Sequence, residues 1–272
     1  MYGETSKGSV KALRESFAEK LAAAGTEAKT VGDELFDLAA VFDGNRALSR
    51  ALTDPAYPAE TKVKLVSTIL QGKATPLTVE IAEGLAAKRW SKPSDIADAT
   101  EDLAIDALLS AADARNACST VSIELSELAS ALLNLPVVRQ RLSDAHAKPE
   151  VRVKFLKNLL KGQALDPVTM DLAEHATRDL RNRRFLSTIN WLIDVVATHR
   201  NRSMVTVTSA IPLKDEQFQK IKKVYAKKLG RQVFVNSVVD PRVLGGMRIQ
   251  VGSEVTDNTV AAQLQNLKRA VA

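Results

Sequence analysis

Residues 240–257, DPRVLGGMRIQVGSEVTD, put two adjacent glycines in front of an alternating apolar stretch. Glycines so placed are what a phosphate cradle uses, because backbone N–H groups reach an anion most closely where no Cβ intervenes. A Walker loop needs Gly, four residues, then Gly-Lys followed by Ser or Thr. LGGMRIQ supplies neither that spacing nor the lysine. A dinucleotide fingerprint leads from a strand into a helix, whereas these glycines lead into a strand pattern. Gly72-Lys73 fails as well: Ser67 stands where the first Walker glycine belongs, and Ala74 follows the lysine.

The other reactive side chains form no constellation along the chain. His146, His175 and His199 share no metal-ligand spacing such as i, i+4 on one helix. Cys118 is the single cysteine, so an internal disulfide and a multi-cysteine zinc site are both excluded. It has no base beside it in the sequence and reads as an inert thiol. The carboxylates scatter along helix faces as solubilising charge, and no acid–base pair stands out.

Charge is more informative. The net charge of +6 is not spread evenly. Residues 1–120 carry a net −4, residues 121–177 balance, and residues 178–231 carry a net +9. That basic stretch contains Arg178, Arg181, Arg183 and Arg184 around Phe185, and later a lysine-rich helix. A phosphate backbone attracts such clusters. Against that reading, stacking aromatics are scarce, and neither a helix-turn-helix nor an RNA-binding strand motif is evident. Nucleic-acid binding through 178–231 is therefore the second reading, behind an acidic protein partner or an anionic surface.

The elements that position these residues follow from pattern and composition. Apolar residues make up 45% and charged residues 26%, an ordinary globular balance, and aromatics are only 4%. Ala and Leu dominate, which favours helices packed through small aliphatic contacts. No uninterrupted apolar run approaches the roughly 18–20 residues of a membrane span, and MYGETSKGSV has no hydrophobic stretch resembling a secretory signal. A soluble protein of a reducing cytoplasm is the expectation.

The chain also repeats itself. LTDPAYPAETKVKLVSTILQGKATPLTVEIAE (52–83) matches LSDAHAKPEVRVKFLKNLLKGQALDPVTMDLAE (142–174). Leu52, Asp54, Val63, Lys64, Leu70 and Gly72 recur as Leu142, Asp144, Val153, Lys154, Leu160 and Gly162. Identities fall at turn and cap positions as well as apolar ones, which helical periodicity alone does not produce. Leu35, Leu38, Ala39 and Phe42 correspond to Leu125, Leu128, Ala129 and Leu132, and a long helical stretch near 93–118 bridges the copies. Each copy reads as a bundle of short helices, with Pro58 and Pro149 suited to helix starts and Gly72 and Gly162 to helix ends.

After Arg202 the pattern changes. MVTVTSA (204–210), QVFVNSVV (232–239) and MRIQV (247–251) read as strands, with an amphipathic helix over about 215–229 that ends at Gly230. A hairpin turn at Gly252-Ser253 and a terminal helix capped by Asp257, with Val260, Leu264, Leu267 and Val271 on its apolar face, complete the pattern. The fold class is mainly α with a small α/β C-terminal domain: two tandem short-helix bundles, then β-α-β-β-α. The expected domains are 1–110, 111–202 and 203–272.

The C-terminal residues VFVNSVVDPRVLGGMRIQVGSEVTDNTVAAQLQNLKRAV resemble the end of the delta subunit of F-type rotary ATP synthase, the family of the mitochondrial oligomycin-sensitivity-conferring protein. Asp240, Leu244, Gly245, Gly246, Ile249, Val251, Gly252 and Asp257 carry the likeness in order and spacing. NRRFLSTINWLIDVVATHRNRSMVTVTSAIPL is similar to the family's junction between helical and α/β domains. The likeness covers about 120–272, and the extra helical copy in front resembles the long actinobacterial form. The resemblance implies a non-catalytic peripheral-stalk subunit that needs no cofactor and sits at the cytoplasmic face of the plasma membrane. It also implies a monomer in isolation, without membrane insertion or nucleic acid. The implied partners are N-terminal helices of alpha subunits, met by a helical domain, and the C-terminal end of the b-subunit stalk, met by the α/β domain. Groove walls for the alpha helix are expected at Leu13, Phe17, Leu21, Leu77, Ile81 and Leu85 in the first copy. In the second copy they are expected at Ile105, Leu108, Val168 and Leu172. Both copies are candidates.

Overall fold

Proline and glycine punctuate the helices. Pro76, Pro136, Pro149 and Pro167 each open a helix at a position where the missing N–H has no intrahelical partner to lose. Pro58 caps the start of another. Gly72 and Gly162, with φ of 69° and 90°, leave two of the helices in the left-handed region that a side chain disfavours. The computed structural model describes residues 2–229, 233–240, 243, 245–251, 254–257, 259 and 260, without the side chains of 201–204, 234 and 254. It divides into two units, Met1–Val196 and Ala197–Ala272.

The helices are α1 (Glu4–Ala24), α2 (Ala28–Gly44), α3 (Arg46–Thr53), α4 (Ala59–Leu70), α5 (Pro76–Ala87) and α6 (Ser94–Ala114), followed by α7 (Cys118–Leu133), α8 (Pro136–Leu142), α9 (Pro149–Leu159), α10 (Pro167–Arg178) and α11 (Phe185–Ser203). The repeat is visible in this order: α2 to α6 recur as α7 to α11. In addition, α1 recurs as α6, its first and last residues displaced by 90 positions, Glu4 to Ser94 and Ala24 to Ala114. Helix α6 therefore serves twice, as the last helix of the first copy and the first helix of the second.

Its burial reflects that double role. Leu103, Ala104, Ile105, Ala107, Leu108, Leu109, Ala111 and Ala112 are all buried, and so are the polar Asp95, Thr100, Glu101 and Asp113. A helix covered on every side has no solvent face to fill with charge. The expected boundary at residue 110 falls inside this helix. One apolar cluster runs from Val10 through α6 to Val196, so the two copies share a core.

The duplicated positions do duplicated work. Leu35, Leu38, Ala39 and Phe42 on α2 and Leu125, Leu128, Ala129 and Leu132 on α7 are all buried. Glu34 accepts hydrogen bonds from the Thr75 backbone N–H at 2.9 and 3.1 Å, where α5 begins. Glu124 accepts from the Asp166 N–H at 3.0 and 3.1 Å, where α10 begins. A carboxylate there satisfies an orphan amide and complements the positive end of the helix dipole. Asp54 and Asp144 likewise each accept from the amide two residues on, Ala56 and His146.

The second unit holds β1 (Met204–Ser209), α12 (Asp215–Leu229), β2 (Phe234–Val239), β3 (Met247–Val251) and β4 (Glu254–Asp257). The sheet order is β2-β1-β3-β4. β1 and β2 are parallel, as the intervening helix requires, while β1–β3 and β3–β4 are antiparallel. Val205, Val207, Ile221, Val233 and Ile249 form its core. The sequence pattern did not name β4 as a strand. Its one branched apolar residue with a described side chain, Val255, is 52% exposed, and pairing with β3 holds the segment in place of burial.

Candidate partner-docking site

The outer face of α2 lies across the seam between α6 and α10. Gly32 permits the close approach: a Cβ there would stand 2.8 Å from the Leu108 side chain and 3.0 Å from the Ala104 carbonyl oxygen, both on α6. One turn on, the Phe36 ring stacks on the His175 ring of α10, with centroids 3.9 Å apart and planes 13° from parallel. Lys29 Nζ reaches Asp171 of α10 at 2.8 Å and Asp33 at the same distance. Thus α2 is buried on two faces, one in its own bundle and one on the second copy.

Below this contact sits a buried charge cluster. Glu101 on α6 is 3% exposed and meets His175 Nε2 at 2.7 Å. Arg181 Nη1 donates to the same carboxylate at 2.6 Å, and Arg183 donates to its other oxygen. Arg181 also binds Asp43 at the end of α2 and Asp98 on α6, each at 2.6 Å. Arg181 and Asn182 adopt positive φ, 45° and 61°, an uncommon conformation for side-chain-bearing residues that turns the loop toward the cluster. Burial by itself would raise the Glu101 carboxyl. The His175 hydrogen bond and the charges of His175, Arg181 and Arg183 outweigh it and hold the group at about 2. His175 is pushed down by burial, yet Asp179 and Glu101 leave it raised overall. Asp179 Oδ2 stands 3.2 Å from Nδ1, so both ring nitrogens face a carboxylate.

A second acidic site lies nearby. Burial raises Asp102 to about 6, despite Arg14 and the hydrogen bond that Tyr2 Oη donates at 2.7 Å. On α9, buried Arg152 donates to the carbonyls of Thr177 and Arg178 at 2.8 and 3.0 Å and to that of Asp144 at 2.8 Å. This guanidinium closes the C-terminus of α10, where carbonyls lack partners.

The expected groove residues fall almost entirely inside. Leu13, Phe17, Leu21, Ile81, Leu85, Ile105, Leu108, Val168 and Leu172 are 0–6% exposed, and only Leu77 is half-buried. In the first copy α1 and α5 pack directly together, because Gly84 on α5 faces Leu13 and Phe17. In the second copy α2 covers Leu108. These side chains therefore form core in both copies.

The basic stretch also resolves into particulars. Arg178, Arg181 and Arg183 turn onto Glu174, Asp37, Asp43, Asp98 and Glu101, so part of the local excess meets acids of the first copy. Lys220, Lys222, Lys223 and Lys227 are exposed along α12.

In the C-terminal signature, Gly245 and Gly246 have φ of 111° and 75°, a conformation that side chains disfavour. They bring the chain into β3, where Ile249 is buried, Val251 is half-buried, and Arg248 and Gln250 face solvent. The Val260 amide donates to the Gly245 carbonyl at 3.1 Å, and the Asp240 amide to the Ser209 carbonyl at 2.9 Å. Asp257 accepts from the Thr259 amide at 3.0 Å. Leu244, Gly252, the turn at Gly252-Ser253, Gly230 and the helix positions Leu264, Leu267 and Val271 lie outside the described residues.

The long-range partners of Glu101 were invisible to sequence reading. His175 and Arg181 stand 74 and 80 residues away. A signal did exist for the inter-copy face of α2: Gly32 and Phe36 stand where α7 has Ser122 and Ser126, so only the first copy has a second packing face.

Comparison with known proteins joins both units. A family model described as ATP synthase delta (OSCP) subunit matches twice, over residues 14–106 and 105–271, and the two matches meet inside α6. The ATP synthase subunit delta of Bifidobacterium longum (strain DJO10A) is 54% identical over 271 residues, covering 100% of this chain and 98% of that protein. The same subunit of Bifidobacterium adolescentis is 53% identical with the same coverage. That of Beutenbergia cavernae is 34% identical, covering 98% of each chain. With a shared core built on a repeat that the family model matches twice, and relatives alike from end to end, the chain belongs to the ATP synthase delta (OSCP) family, in a long form with a duplicated helical region.

Proposed function

We propose that this subunit ties the catalytic head of the ATP synthase to its peripheral stalk. It is a non-catalytic stator component: its partner is the ATP synthase complex, and through that complex it is associated with the membrane. Among the described residues no single helix is long and apolar enough to cross a membrane. The single observation that carries the reading is the full-length likeness to delta subunits, which spans both units.

The finer assignment follows the division of the fold. The helical unit receives an N-terminal helix of an alpha subunit in a seam between two of its own helices, a helix-in-groove mode. The α/β unit engages the C-terminal end of the b subunit, and the exposed lysines of α12 supply charge for an acidic surface there. Both attachments face the cytoplasm. A stator must transmit torque without yielding, and a helical unit with a shared core and a buried ionic clasp suits that load.

Affinity-tagged full chain expressed in its own cells tests this. Head subunits and b subunit should both be recovered with it from solubilised membranes. Recovery of neither, from membranes with an assembled synthase, overturns the reading.

A further inference from the structure

We propose that α2 is a resident ligand of the second helical copy, so that the helical unit offers a partner helix one seam, between α1 and α5, instead of two. The inference rests on the reading that a subunit helix docks on the helical unit. It adds which copy receives that helix and why the other does not.

The repeat supplies the argument. Helices α1 and α5 of the first copy correspond to α6 and α10 of the second. The α6–α10 seam is covered by α2 through Gly32, Phe36 and Lys29. The corresponding places in the first copy are less covered. Leu108 is fully buried, while Ala18 in its place is half-exposed; His175 is 3% exposed, while Gly84 in its place is half-exposed. Asp171, which holds Lys29, has Glu80 as its counterpart, and Lys20 of α1 pairs with that acid across the seam. The first seam thus offers smaller side chains, and the place that the lysine of α2 takes in the second is filled by Lys20 of the same copy. The helix that fits is amphipathic, with a small residue at the closest approach, as α2 has Gly32 against Leu108.

Displacing α2 is unfavourable for a separate reason. Its adjoining face carries Leu35, Leu38, Ala39 and Phe42 into the first-copy core. A competitor for the second seam must therefore disrupt two buried faces, while a partner at the first seam disrupts neither. The α7 helix shows that the second face is an addition: Ser119, Ser122 and Ser126 replace Lys29, Gly32 and Phe36.

The test uses the full chain with Lys29→Cys and Asp171→Cys, clamped by a short bismaleimide, since Cys118 is buried. The probe is a synthetic peptide of the alpha-subunit N-terminal segment, followed by calorimetry. One peptide should bind per chain, and the clamp should change Kd by less than about twofold. Ala18→Arg, on the exposed side of α1, should weaken binding about tenfold or more. Two peptides per chain, loss of binding on clamping, or failure of the clamp to form in a folded chain overturns the inference. So does a peptide that binds neither clamped nor unclamped protein. Recovery of head and b subunits with the tagged chain judges the stator reading separately, so the two failures are distinguishable.

Discussion

Glu101 concentrates the electrostatics between the copies in one side chain. A buried carboxylate is tolerable when cations and hydrogen bonds surround it, and removing the charge leaves those cations uncompensated. Glu101→Gln should lower the stability of the helical unit by about 3–5 kcal/mol in urea titrations followed by far-UV circular dichroism. A loss near zero would mean that Arg181 and Arg183 find other acids. The same groups set the pH response. Asp102, raised to about 6 from 3.8, opposes folding once ionised, so its unfavourable contribution grows as pH rises from about 4 to 6. His175, also raised, stabilises fully below its unfolded value and loses that contribution as pH rises through the folded one. Glu101 works at the other end: its stabilisation is complete above 4.5 and lost as pH falls toward 2. Thermal stability should peak near pH 4, declining on both sides. Asp102→Asn, which keeps an acceptor for Tyr2, should flatten the limb between pH 4 and 6, and an unchanged slope there would assign it to other groups. None of this was legible in the sequence, where Glu101 and Asp102 are two more carboxylates on a helix and their partners lie far along the chain.

At the scale of elements, the sequence was more open. Apolar periodicity, prolines at helix starts and glycines at helix ends marked the repeated helices, because those signals are local. Gly245 and Gly246 were legible as a corner leading into a strand, since only their backbone requirement mattered. The capping carboxylates were not, because Glu34 and Glu124 reach amides 41 and 42 residues away. Strand β4 was missed for a similar reason: it is held by its neighbour and lacks a buried face of its own. The groove residues illustrate a different limit. Periodicity identified apolar faces, but it cannot say whether an apolar face meets a partner or the next helix of the same chain. The repeat makes a sharp comparison possible at the caps. Glu34→Ala and Glu124→Ala remove the same interaction from the two copies, so each should cost about 1–2 kcal/mol by chemical denaturation. Unequal losses would show that the copies differ in how tightly their fifth helices are held.

At the scale of the whole molecule, the shared helix sets where the chain can be divided. Sequence reading located the duplication but drew the boundary at 110, since a repeat in the sequence does not show that one helix belongs to both copies. A chain beginning at residue 94 keeps α6 to α11, a complete six-helix copy including Glu101, together with the second unit. A chain beginning at residue 111 loses most of α6, and with it Ile105, Leu108 and the acid that Arg181 and Arg183 face. Removing such a buried layer exceeds the few kcal/mol by which domains of this size are stable. The 94–272 chain should therefore melt cooperatively with full helical signal, and the 111–272 chain should not. The shorter of these losses still uncovers the α6–α10 seam, because α2 is gone. A synthetic peptide of residues 28–44 should then bind the 94–272 chain and raise its melting temperature in proportion to occupancy. The Phe36→Ala peptide should do so less. Equal cooperativity in the two truncated chains would mean that the second copy closes without its first helix. No stabilisation by either peptide would mean that α2 holds its seat only as part of the first copy.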